Sequence, residues 1–123
     1  MGTCGVTIIS HSEKIAEGIY DLLKEISKDV CITYVGGYDG GIGTSFEDVF
    51  NCIESNTADK VLAFYDLGSA KMNLESVAEV SEKNIEIFNV PVVEGAYTAT
   101  ALLQAEIPVE NIIEQLNEIS INK

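Results

Sequence analysis

Short apolar runs alternate with longer amphipathic stretches along this chain. Residues 5–10 (GVTIIS) form a compact β-rich run, after which Ile15, Ile19, Leu22, Leu23 and Ile26 recur at helical spacing. CITYV at 31–35 predicts a second strand, closed by the glycine-rich GGYDGGIGTS. Thr44 with Glu47 matches the T-x-x-E capping box, which predicts a helix opening there and carrying Phe46, Val49, Phe50 and Ile53. KVLAFY at 60–65 reads as the third strand, and DLGSAKMN after it as a loop leading to a helix from about 74 to 81. IEIFNV at 85–90 is the fourth strand, stopped by Pro91. A small-residue helix over about 93–105 follows, then a last helix that opens near Pro108 and presents Ile112, Ile113, Leu116 and Ile119.

Strands alternating with helices imply an α/β fold with a parallel sheet covered on both faces. The common solution is a doubly wound open sheet of four strands in order 2-1-3-4, formed here as one domain over residues 1–123. Sheets of this kind bind ligands at the carboxyl ends of the strands, where the order reverses between strands 1 and 3. SHS after strand 1, GGYDGGIGTS after strand 2 and DLGSAKMN after strand 3 all fall on that edge.

Charge narrows the choice of partner. Twenty acidic groups face seven lysines and no arginine, a formal charge of −13. Such a surface repels phosphate backbones and anionic lipid, which argues against nucleic acid and membrane surfaces and favours basic protein partners. No apolar run approaches the roughly 20 residues of a membrane helix. MGTCGVTIIS lacks the basic start and apolar core of a signal peptide, and Val6 breaks the myristoylation pattern. A cytosolic protein is the expectation. Cys4, Cys31 and Cys52 are odd in number and widely spaced, so they read as small buried hydrophobes rather than as a disulfide framework or zinc site.

His11 is the only histidine and stands directly after strand 1. It is either a surface residue or, with Ser10, Ser12 and a helix N-terminus beside it, a nucleophile, base or anion site. Metal binding is not expected, since no second histidine or dense carboxylate cluster joins it at ligand spacing. Asp66 ends strand 3, next to strand 1. It is a turn residue or helix cap, or else the carboxylate that fixes the His11 tautomer with Nε2 as the free nitrogen. Gly68 and Ser69 could leave amides free for an anion, with Lys71 adding charge or simply solvated. The glycine-rich loop meets neither GxxxxGK[ST] nor G-x-G-x-x-G. It is a flexible turn, or it lines the His11 pocket through residues such as Gly37 and Thr44.

SHSEKIAEG, GGYDGGIGTS, YDLGSAKMN and VPVVEGAYTA occur in this order and together resemble the DhaM family. These are phosphotransferase subunits of dihydroxyacetone kinases driven by the phosphoenolpyruvate phosphotransferase system (PTS). The family's domain is similar to the mannose-type enzyme IIA domain, which dimerises. The resemblance implies that the phosphocarrier HPr passes a phosphoryl group to His11, with Asp66 as the carboxylate beside it. The phosphohistidine then recharges ADP held in the partner DhaL, giving ATP for phosphorylation of dihydroxyacetone. Some members carry further phosphocarrier-like domains. With the chain ending at Lys123, the resemblance implies a free-standing HPr. The expected phosphate pocket comprises Ser12, Gly68, Ser69, Gly37 and Thr44, inside an acidic rim of Asp39, Glu94 and Glu75. The chain is expected to bind no cofactor and no metal itself, ADP and Mg²⁺ belonging to DhaL. A homodimer is expected from the resemblance and from the helix around Ala96–Leu103. A mannose-type sugar-transporter IIA component remains an alternative. A receiver-type module would need an acidic pair after strand 1, which SHS lacks, and a flavin-binding module would be coloured.

Overall fold

The computed structural model describes residues 3–123. In chain order the elements are β1 (Cys4–Ser10), α1 (Glu13–Ile26), β2 (Ile32–Gly36), α2 (Phe46–Glu54), β3 (Lys60–Tyr65), α3 (Gly68–Val80), β4 (Asn84–Phe88), α4 (Val92–Gln104) and α5 (Val109–Glu118). All strand pairs are parallel and the order is β2-β1-β3-β4. The doubly wound sheet expected from the alternation of periods is therefore present.

The pleat divides the apolar residues of each strand between two cores. Val6, Ile8, Leu62, Phe64 and Phe88 point to one face, where Ile19 and Leu23 of α1, Ala96 and Ala99 of α4, and Ile112 and Leu116 of α5 cover them. Ile9, Ala63 and Tyr65 point to the other, under Val49 and Ile53 of α2 and Ala70, Leu74 and Val77 of α3. Each fully buried aliphatic or aromatic side chain contributes on the order of 2 kcal/mol. Phe64 and Phe88 also stack across neighbouring strands, centroids 5.5 Å apart. Among the described residues no helix is long and apolar enough to cross a membrane.

Four local expectations need correction. First, α3 begins at Gly68, not near residue 74. Its inward face runs Ala70, Leu74, Val77, and the small Ala70 hides the first turn from a reading keyed to large aliphatics. Second, Ser45 rather than Thr44 caps α2, its hydroxyl accepting from the Asp48 N–H at 3.2 Å. The helix therefore starts one residue later than the Thr44–Glu47 box implied, and Phe46 is 41% exposed. Third, the inward stripe of α1 is Ala16, Ile19 and Leu23, while Ile15 and Leu22 lie outside it. Fourth, strand β4 stops at Phe88, short of residue 90.

Candidate active site around His11

Strand β1 delivers Ser10 and His11 to the switch point, beside Asp66 at the end of β3. Ser12 caps α1 with extended backbone, and its hydroxyl accepts from the Ile15 N–H at 3.4 Å. The His11 backbone is held from two sides: its N–H donates to Asp66 Oδ2 at 2.9 Å and its carbonyl accepts from the Gly43 N–H at 2.8 Å.

Asp66 is the hub. Oδ2 also accepts from the Ser10 hydroxyl at 2.7 Å, while Oδ1 accepts from the Leu67 N–H at 2.7 Å and meets His11 Nδ1 at 2.8 Å. Burial alone would raise this carboxyl. The hydrogen bonds from the His11 backbone, the His11 ring, Ser10 and Leu67 outweigh it and hold the group below its ordinary value. An ionised carboxylate surrounded by donors has only acceptor sites to offer, so the proton between it and the imidazole belongs on Nδ1. Nε2 then keeps its lone pair, which the Ser69 hydroxyl meets by donating a hydrogen bond. The two side chains are 16% and 13% exposed, enough for a reacting group to reach the ring from one side.

The early start of α3 gives this arrangement its chemistry. Ser69 stands in the first turn, where helix amides lack intrahelical partners and the dipole is positive. No side chain caps that turn, and the Ser69 hydroxyl within it meets Nε2. An unprotonated ring nitrogen that meets the hydroxyl of an uncapped first helical turn suits the transfer of an anionic group.

The glycine-rich loop has a different place from the one expected. Gly37, Asp39, Gly40 and Gly43 all take positive φ, and Tyr38 and Gly41 close a small antiparallel bridge. A Cβ at Gly36 would collide with the Ser12 carbonyl. The loop thus lies against the back of the His11 segment, with the Gly37 N–H donating to the Ser10 carbonyl at 3.3 Å. It walls a separate cleft of about 590 Å³ that includes Ser12, Glu13, Tyr38, Asp39 and Asp48 but not His11. Thr44 Oγ1 accepts from Asn73 Nδ2 at 2.8 Å, clasping the loop to α3. Of the expected phosphate-pocket residues, the structure brings Ser69 to the ring and Gly68 beside it, and sets Ser12 at the adjoining cap. Gly37 and Thr44 touch backbone and α3 instead. Asn73 was missed in the sequence, although it lies one helical turn from Ser69 and would have aligned with it had DLGSAKMN been read as helix.

Among the described residues no cluster of three or more His, Cys, Asp or Glu side chains could hold a metal ion. Of the three cysteines, Cys52 is buried as expected, while Cys4 and Cys31 are half-buried. Burial pushes Cys52 up to about 11 against a hydrogen bond with Thr33, and burial also raises Cys4.

Comparison with known proteins gives the family. The EIIA-man family model, described as PTS system fructose IIA component, matches residues 5–113. The phosphotransferase subunit DhaM of a PTS-dependent dihydroxyacetone kinase from Lactococcus lactis is 52% identical, over 98% of this chain and 99% of its own. The phosphoryl donor subunit DhaM of dihydroxyacetone kinase 1 from Listeria innocua is 56% identical, over 95% of each. A crystal structure of the phosphotransferase system component EIIA from Streptococcus agalactiae superposes with a TM-score of 0.68 over 98% of this chain and 97% of that one. At 16% identity that likeness is one of fold. A histidine at the switch point, backed by a carboxylate on Nδ1, thus sits in a chain that belongs to the EIIA-man family, among its DhaM subunits.

Proposed function

We propose that this chain is the phosphoryl-relay subunit of a PTS-driven dihydroxyacetone kinase, working in the cytosol. His11 Nε2 attacks the phosphorus of the phosphohistidine on HPr. The donor N–P bond breaks, its electron pair returns to the donor ring, and a bond from Nε2 to phosphorus forms. The proton on Nδ1 stays in place, and its hydrogen bond to Asp66 strengthens as the ring gains positive charge. In the second transfer a terminal phosphate oxygen of ADP, held by DhaL, displaces Nε2 and gives ATP for the substrate subunit DhaK. ADP and Mg²⁺ belong to DhaL. Phosphoryl transfer depends on positioning and charge stabilisation, which this small set of groups supplies when a basic partner completes it.

The observation that carries the reading is the Nδ1–Asp66 contact of 2.8 Å, which leaves the Nε2 lone pair facing Ser69 in the uncapped first turn of α3. Support for the acceptor comes from the 52% and 56% identity to DhaM subunits. The fructose IIA description of the family model favours a second reading, a sugar-transporter IIA component. One assay separates them. The protein is phosphorylated with phosphoenolpyruvate, enzyme I and HPr, then mixed with DhaL–ADP or a sugar-transporter IIB domain. Rapid discharge to DhaL–ADP is expected, and discharge to IIB alone would reassign the acceptor. The exposed Asp39, Glu75 and Glu94 favour weak docking against basic partners.

Ser69 gives a graded prediction. In the resting protein its hydroxyl makes a neutral bond to Nε2; after transfer it donates to an anionic phosphoryl oxygen. Charge-assisted bonds exceed neutral ones by about 1 kcal/mol, so Ser69→Ala should lower the equilibrium phosphorylated fraction relative to HPr about fivefold. Quench-flow with intact mass reads that ratio, and an unchanged value removes Ser69 from the pocket.

The homodimer rests on the family resemblance. Ala96 and Ala99 of α4 are fully buried and already pack on the sheet, so the helix composition that suggested self-association has an internal use. Sedimentation at micromolar concentration should give twice the chain mass.

A further inference from the structure

The Tyr65–Asp66 peptide, from which the site's carboxylate hangs, is gripped at both ends. Its N–H donates to the Ile9 carbonyl at 3.2 Å. Its C=O accepts from the Lys123 ammonium at 2.7 Å. The register of β3 with β4 ends at the Phe64–Phe88 pair, one residue short of Tyr65. Lys123 takes over where that ladder stops. Its second bond, to the Val90 carbonyl at 2.6 Å, ties the end of β3 to the turn after β4. The same ammonium lies over the face of the buried Tyr65 ring, 4.2 Å from its centroid. The Tyr65 hydroxyl in turn donates to the Asn89 side chain, and the Asn89 carbonyl accepts from the Ile121 N–H at 2.8 Å. Residues 121–123 are therefore stapled across the edge that carries Asp66.

We propose that Lys123 is a positioning residue for the His11–Asp66 pair, acting through the Tyr65 carbonyl. Rotation of the Tyr65–Asp66 peptide plane swings the Asp66 carboxylate. Two of that group's contacts cannot tolerate such a swing: Oδ1 must meet Nδ1 at 2.8 Å while Oδ2 meets the His11 N–H at 2.9 Å. A charge-assisted bond to the carbonyl holds the plane more firmly than a neutral one would. Burial disfavours the ammonium's charge, and Asp66 is the neighbour that favours it. A lone lysine far along the sequence reads as solvated, and only the fold brings it to this edge.

The proposal rests on the phosphoryl-relay reading for its rate but not for its geometry, so two measurements are made on Lys123→Met and Lys123→Arg. The first is the ¹⁵N spectrum of the His11 ring in the unphosphorylated protein at about pH 9, where imidazoles are neutral. Wild type should give well-separated shifts for a protonated Nδ1 and a bare Nε2. Lys123→Met should move the two shifts toward each other, and Lys123→Arg should restore most of the separation. The second is the rate of phosphorylation by HPr, expected to fall about fivefold or more in Lys123→Met, since small misplacements near reacting groups are costly. Arginine should recover most of it. Wild-type ring shifts in Lys123→Met, or an arginine variant as impaired as the methionine one, would overturn the proposal. If wild type accepts no phosphoryl group at all, the relay reading falls and the ring spectrum still decides the role of Lys123.

Discussion

His11→Ala should abolish phosphorylation by HPr, with a loss of more than about a thousandfold, the scale on which removing a covalent nucleophile acts. The substitution deletes the ring and leaves the backbone contacts that hold the segment. The residue 11 N–H can still reach Asp66 Oδ2, and its carbonyl can still accept from Gly43. Asp66 keeps three of its four donors, so the fold should survive and the defect should be chemical. Intact mass after incubation with phosphoenolpyruvate, enzyme I and HPr tests this, with a thermal melt as control. In wild type the added phosphoryl group should be acid-labile and alkali-stable. Undiminished labelling of a folded His11→Ala protein would place the acceptor elsewhere.

Asp66→Asn should combine two losses. An amide has one acceptor oxygen where the carboxylate has two, and its NH₂ must face donors. Either the His11 N–H and Ser10 hydroxyl or the His11 ring and Leu67 N–H lose their acceptor. Leaving such donors unpaired costs about 1–3 kcal/mol in stability. The relay should slow at least about tenfold, ~1.4 kcal/mol in barrier, because the Nδ1–H tautomer loses its anionic partner. Rates are compared below the melting point of both proteins, and a wild-type rate there would end the assigned role. Stability should also differ in acid. The folded carboxyl lies below its ordinary value of 3.8, so its stabilising contribution is present above that value. It is lost as pH falls through the lower folded value. Melts between about pH 5 and pH 2 should therefore show a steeper acid loss in wild type than in the asparagine variant, which has no such charge to lose.

The order of elements, the parallel sheet, the strand order and the edge that holds the His11–Asp66 pair were legible along the chain. Each depends on local periodicity and on the short list of ways to bury strands between helices. The pairing of His11 with Asp66 was legible for the same reason, because a lone histidine and an aspartate end two strands that this topology makes neighbours. What the pattern misplaced was short-range and small. Ala70 begins the inward face of α3 too modestly to be read, so Ser69 passed for a loop residue when it opens a helix. Ser45 and Thr44 are chemically interchangeable as caps. Only packing decides that Ser45 caps α2 while Thr44 accepts from Asn73. Beyond the His11–Asp66 pair, the long-range polar contacts were not legible. The Ser10 hydroxyl and the His11 N–H converging on Asp66, the glycine loop backing His11 rather than cupping its ring, and Lys123 reaching the Tyr65 carbonyl all join residues far apart in sequence. Hydrophobic periodicity says which face of an element turns inward. It carries no information on which polar atoms meet once the faces are buried, because those pairings are set by how strand ends and connecting turns come to rest in three dimensions.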